Sequence, residues 1–241
     1  MVYNKCSTSY GLIVKSAFNS IVVLRRKVPY CVQDFFLHLS RKKGLTLAPM
    51  SFSAIKQQFE LEWGPRLRPC ELEDYQRFLN GEVFEDEFDF PHGQLKRSKK
   101  YAENKYVQFC SAYREFQEES GFHFSFTERD VERYPLVWIE FEGLDGFQYK
   151  QYYFIVDNVK DLRRHTYFNS FKRSSTVKNQ IQSWNDDRLI YHGQLMPLEK
   201  AYEKFLQQQH LKRDMKHLLC LNCIISRPLD EEETSEMETM H

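Results

Sequence analysis

The chain is predicted to be α/β, an α/β/α sandwich carrying a helical insertion, and three observations predict it. β-rich runs occur as a pair near the start and as another pair after residue 136. Apolar residues recur at helical spacing within residues 30–87 and again over 198–219. A glutamate-rich segment with helical spacing lies between the two groups of strands. Strands flanking a helix, with a second helix closing the chain, bury both faces of one sheet.

In chain order, Tyr10–Val14 and Ser20–Leu24 are the first strands, and the polar segment Lys15–Asn19 joins them as a hairpin. Arg25, Arg26 and Lys27 close the second strand with cations that meet either solvent or phosphate. Residues 30–87 read as a helical insertion beside the main domain. Val32–Leu39, Phe52–Trp63 and Glu71–Leu79 have helical periodicity, divided by Gly44, Pro49, Gly64-Pro65 and Pro69. Val137–Phe141 and Phe147–Val156 are strands, with turn chemistry over residues 142–146. Residues 158–187 are polar and basic, including Lys160, Arg163, Arg164, His165, Lys172 and Arg173, and are expected to form a long loop over the substrate. Leu198–Leu219 is an amphipathic closing helix. The main domain is therefore assigned to residues 1–29 and 88–228.

Composition narrows the function. The 241 residues carry 34 Lys and Arg against 34 Asp and Glu, but six of the acids lie in residues 229–241, which hold no Lys or Arg. That segment lacks core formers and is read as a disordered acidic tail. Without it the body carries 34 bases against 28 acids, which suits a polyanionic substrate. Mean hydropathy is −0.63, and neither a membrane span nor a signal peptide is legible. Six cysteines spread over this length point to reduced thiols in the cytoplasm or nucleus. Cys220 and Cys223, with His210 and His217, leave two alternatives: a zinc site or a helix ending in half-buried thiols.

Residues 114–122, Arg-Glu-Phe-Gln-Glu-Glu-Ser-Gly-Phe, are the most informative. Glu115, Glu118 and Glu119 stand at i, i+3 and i+4, so one helical face presents all three. Like charges at that spacing destabilise a helix, and a hard divalent cation removes the repulsion. Arg114 can pair with one carboxylate, and Gly121 can end the helix in the left-handed conformation. Most glutamate runs are solvated faces. The flanking Arg114, Phe116, Gly121 and Phe122, with Phe90-Pro91-His92-Gly93 upstream, make the run resemble a known family motif, and that resemblance favours a metal site here.

This nonapeptide resembles the second half of the Nudix box, Arg-Glu-apolar-any-Glu-Glu-any-Gly-apolar, and matches every specified position. Phe90-Pro91-His92-Gly93 resembles the family's loop before the catalytic helix, in the form common among cap-cleaving members. The first half departs from the pattern: Lys99 stands where a glutamate is expected, and Glu103 is the nearest acid. The step from Gly93 to Arg114 is seven residues longer than in the family. Either the helix starts earlier or the loop bulges. The helical insertion resembles those of decapping Nudix enzymes of large DNA viruses, and the layout also resembles baculovirus-type Nudix proteins classed with ADP-ribose pyrophosphatases.

The resemblance implies a Nudix-type sandwich and a hydrolase of diphosphate linkages that uses Mg²⁺ or Mn²⁺. Glu115, Glu118 and Glu119 would be the metal ligands. Glu118 and Glu119 would be catalytic with Arg114, Gly93 and Lys96 would serve binding, and Asp187, beside Asp186, would supply a further acid. Met196-Pro197-Leu198 resembles the family's turn before its last helix. The expected substrate is capped RNA, cleaved to release m⁷GDP, with Trp63, Trp138 and Trp184 as candidates to stack a purine. The alternatives are ADP-ribose or a nucleotide sugar, a diphosphoinositol phosphate, and a scaffold that binds nucleotide or RNA without turnover.

Overall fold

The computed structural model describes residues 6–26, 28–32, 35, 52–80, 88–94, 104–142, 148–164 and 190–211. Lys27, Lys96, Lys99, Glu103, Trp184, Asp186, Asp187, His217, Cys220, Cys223 and the acidic tail lie outside the described residues, as does the side chain of His210.

Within them the chain is α/β. Strands β1 (Cys6–Ser16) and β2 (Ser20–Arg26) form the expected hairpin. Its turn uses Asn19 at φ 52°, a left-handed conformation asparagine tolerates, while the N–H groups of Phe18 and Ser20 both donate to Ser16 Oγ at 3.3 Å. The expected later pair is β6 (Leu136–Glu142) and β7 (Gln148–Val159), which run antiparallel. β7 lies parallel to β1, from Cys6 opposite Gln148 through Val14 opposite Val156. This puts a parallel pair at the centre of a mixed sheet.

Residues 88–94 wedge open the other side of β1. β3 (Phe88–Asp89) pairs with β2 at Leu24 and Arg25, whereas β4 (His92–Gln94) pairs with β1 at Ser9, Tyr10 and Gly11. β9 (Ile190–Pro197) then adds to the far side of β2.

Alternation along these strands sorts the core into two layers. Leu12, Val14, Val22, Phe154 and Val156 pack with Phe109, Ala112 and Phe116 of helix α3 (Lys105–Ser120). Their neighbours Ile13, Ile21, Val23, Tyr153 and Ile155 face the other way, against Ala201 and Phe205 of helix α5 (Leu198–Leu211). Both faces of the sheet are covered, so β1, β2 and β7 read as continuous apolar runs.

The insertion contains α1 (Phe52–Glu62), a 3₁₀ turn (Gly64–Arg66) and α2 (Pro69–Leu79). Pro69 opens α2 where a missing N–H costs nothing, and the backbone N–H of Arg68 donates to Glu71 at 2.8 Å. Phe35, Phe59, Trp63, Tyr75 and Phe78 form a third core with Val28, Cys31 and Val32. The Phe59 and Tyr75 rings stack at 4.0 Å.

Two segments differ from the sequence reading. Of the long loop expected over 158–187, the first residues belong to β7, and Arg163–Arg164 form β8, paired with β5 (Phe122–His123). β9 was not anticipated because His192, Gly193 and Gln194 break its apolar pattern. Cys31, Cys70 and Cys110 are in no disulfide among the described residues. Among the described residues no helix is long and apolar enough to cross a membrane.

Candidate active site

The glutamate helix α3 is built as its sequence requires. Asn104 caps it, its side chain accepting from the Val107 N–H at 3.0 Å. Phe109, Ala112, Phe116 and Ser120 form its buried stripe at helical spacing. Gly121 ends it at φ 72°, donating its N–H to the Gln117 carbonyl. Ser120 Oγ donates to the Phe116 carbonyl and accepts from Phe122 N–H at 3.1 Å, turning the chain into β5. The helix begins nine residues before Arg114, at Lys105.

The three glutamates have three environments. Glu115 lies against β4: a Cβ added at Gly93 would collide with its Cγ and Cδ and would sit 2.7 Å from its Oε2. Arg114 donates to the other oxygen, Oε1, at 2.5 Å, and the Glu115 side chain is 16% exposed. Glu119, one turn on, accepts the backbone N–H of His92 at 3.0 Å. Glu118 is 58% exposed and stands 3.7 Å from Arg114 Nε. The spacing therefore does not produce a uniform solvated face: two carboxylates dock on the Phe-Pro-His-Gly strand, and the third stays accessible beside them.

Sequence reasoning missed the support beneath that strand. His92 Nδ1 lies 2.9 Å from the Phe90 carbonyl, and His92 Nε2 lies 3.1 Å from Gln151 Nε2. Tyr153 donates its hydroxyl to Gln151 Oε1 at 3.2 Å. These partners are mutually consistent with the imidazole tautomer that carries its hydrogen on Nδ1: Nδ1–H donates to the Phe90 carbonyl, and Nε2 accepts from the Gln151 amide. Tyr153 is fully buried and Gln151 nearly so, so the chain fixes the strand that presents the His92 N–H to Glu119. The signal was present in sequence only as a glutamine amid the apolar run of β7.

Gly11 and Gly193 serve the same packing. A side chain at Gly11 would meet the Pro91 carbonyl, His92 and Tyr153, and one at Gly193 would meet Ser120 at the end of α3. Each glycine lets a backbone approach that larger residues would block.

Oxygen donors of this kind suit Mg²⁺ or Mn²⁺, which keep several waters and need only one or two carboxylates plus substrate phosphate. Among the described residues no group of three or more His, Cys, Asp or Glu is gathered closely enough to hold an ion unaided. Of the tryptophans proposed to stack a base, Trp63 is 1% exposed in the insertion core, which removes it, whereas Trp138 is 58% exposed. No protein-family model matches the chain, and no curated protein matches it in sequence.

Proposed function

We propose that the chain is a divalent-metal-dependent hydrolase of the Nudix type that cleaves a diphosphate linkage, with the capped 5′ end of RNA as its substrate. The observation that carries this reading is the docking of Glu115 and Glu119 onto Gly93 and His92, because a solvated glutamate run has no reason to seat carboxylates against a sheet. Glu115 and Glu119 would hold the ion, and Glu118, accessible and within reach of Arg114, would complete the site or activate water. A bound ion supplies charge neutralisation on the phosphates and a lowered pKa for attacking water. The chain's own residues do the rest. Arg114 sets the rotamer of Glu115, and the His92–Gln151–Tyr153 chain holds the strand on which Glu119 rests. Positioning and electrostatics are most of the catalytic task in phosphoryl substitution.

RNA as substrate is favoured by the basic body and by the exposed aromatic ring of Trp138 on the same sheet face as α3. The test incubates the full chain and Mn²⁺ with cap-labelled RNA, ADP-ribose and a diphosphoinositol phosphate in parallel. Release of labelled m⁷GDP that requires an RNA body is the expected result. Hydrolysis of ADP-ribose alone would replace the substrate, and inertness toward all three would favour a non-catalytic binder.

A further inference from the structure

The register of the sheet aligns one row of residues across four strands. Gly93 of β4 lies opposite Tyr10 of β1, Tyr10 opposite Tyr152 of β7, and Tyr152 opposite Trp138 of β6. Paired positions share a face, and this one is the face covered by α3, since Tyr10 and Tyr152 both pack with the α3 cluster. The row begins beneath the Glu115 carboxylate and ends at an open indole. Tyr10 and Tyr152 stack with centroids 5.1 Å apart and planes 12° apart, and Trp138 continues the series at 6.5 Å from Tyr152. Exposure rises outward along it, from 7% at Tyr10 to 58% at Trp138.

We propose that this aromatic row is a stacking subsite for the planar base of a nucleotide substrate, with Trp138 as its principal ring. The reading rests on the diphosphate hydrolase proposed above and names the moiety beyond the diphosphate. Three inter-strand steps separate Gly93 from Trp138, roughly 14 Å, which leaves room for a ribose and phosphates between base and carboxylates. Lys150 Nζ stands 5.6 Å from the Trp138 centroid and 5.4 Å from that of Tyr152, so the rings already hold a cation over their π faces. The Glu140 carboxylate holds that ammonium at 2.5 Å. An anionic linkage leaving a stacked base would meet Lys150 first. An exposed indole serving only the core would instead be sunk under a neighbour, as Trp63 is.

The test measures the ratio of affinities for GDP and inorganic pyrophosphate, by isothermal titration of the full chain with Mg²⁺ present. Both probes share the diphosphate, so their ratio isolates the base. The wild type is expected to favour GDP. Trp138→Ala should weaken GDP about tenfold or more, the order of loss for one base stack, while leaving pyrophosphate unchanged. Trp138→Phe should retain most of the preference. The ratio should survive in Glu119→Gln, where the proposed hydrolysis fails, so an inactive protein does not by itself remove the subsite. Equal GDP affinity in wild type and Trp138→Ala, with far-UV circular dichroism unchanged, would overturn it and leave the hydrolase reading standing.

Discussion

Gly93 is the residue where packing and proposed chemistry meet most tightly. Its φ is not in the left-handed region, so what forbids a side chain is space: a Cβ there runs into the Glu115 carboxylate. Gly93→Ala is expected to cost about 1–3 kcal/mol by overpacking and to abolish any Mn²⁺-dependent turnover by displacing Glu115. Adding Glu115→Ala should recover much of that stability without recovering activity. Chemical denaturation of the two single variants and the double variant measures this coupling, and strictly additive losses would contradict the contact. Gln151→Leu probes the polar chain below, removing the donor to His92 and the acceptor for Tyr153. It should destabilise by about 1–3 kcal/mol and lower kcat more than KM, because it loosens the strand under Glu119 without touching substrate. The shared helical face of the three glutamates was legible from their spacing, and Gly93 only through the resemblance of Phe90-Pro91-His92-Gly93. The His92–Gln151–Tyr153 chain was not, because it joins residues 59 positions apart through the sheet register.

Among elements, α3 carries the account, and its ends are specified locally. Gly121 at φ 72° makes Gly121→Ala cost roughly 1–2 kcal/mol, readable as a lower melting temperature. The next helix, α4 (Glu128–Arg133), begins with a capping box. The Thr127 side chain accepts the Asp130 N–H, and Asp130 accepts from the backbone and hydroxyl of Thr127, both at 2.7 Å. The Thr127 hydroxyl, then its backbone N–H, lower the Asp130 pKa below the ordinary carboxylate value. A carboxylate whose folded pKa is depressed stabilises above its unfolded pKa and loses that contribution as pH falls through the folded value. Asp130→Asn should therefore differ from wild type in melting temperature at neutral pH and converge with it under acid. Elements with strong local signals, the first hairpin and the β6–β7 pair, were legible in sequence. β3, β4, β5 and β8 were not, since strands of two or three residues carry no periodicity and exist only through their partners.

At the scale of the whole molecule, the described residues form three cores: one on each side of the sheet and one centred on the insertion. The insertion core centres on Trp63, which touches Phe35 and Phe59 at ring distances of 5.7 and 6.4 Å. Trp63→Ala should cost about 3–5 kcal/mol and speed amide exchange over residues 52–79 more than in β1 and β7. Uniform acceleration would mean that the cores unfold as one. The layered α/β plan followed from the order of strands and helices, but the wedge of residues 88–94 between β1 and β2 did not. That wedge brings Gly93 and His92 under α3, and it follows from pairing between distant segments.

The proposed hydrolase depends on the carboxylates seated against this wedge holding a divalent ion. The most direct measurement is Mn²⁺ binding followed by electron paramagnetic resonance, comparing wild type with Glu115→Gln and Glu119→Gln. Stoichiometric binding is expected in the wild type, and at least tenfold weaker binding in each variant. Equal Mn²⁺ affinity in all three proteins would contradict that proposal.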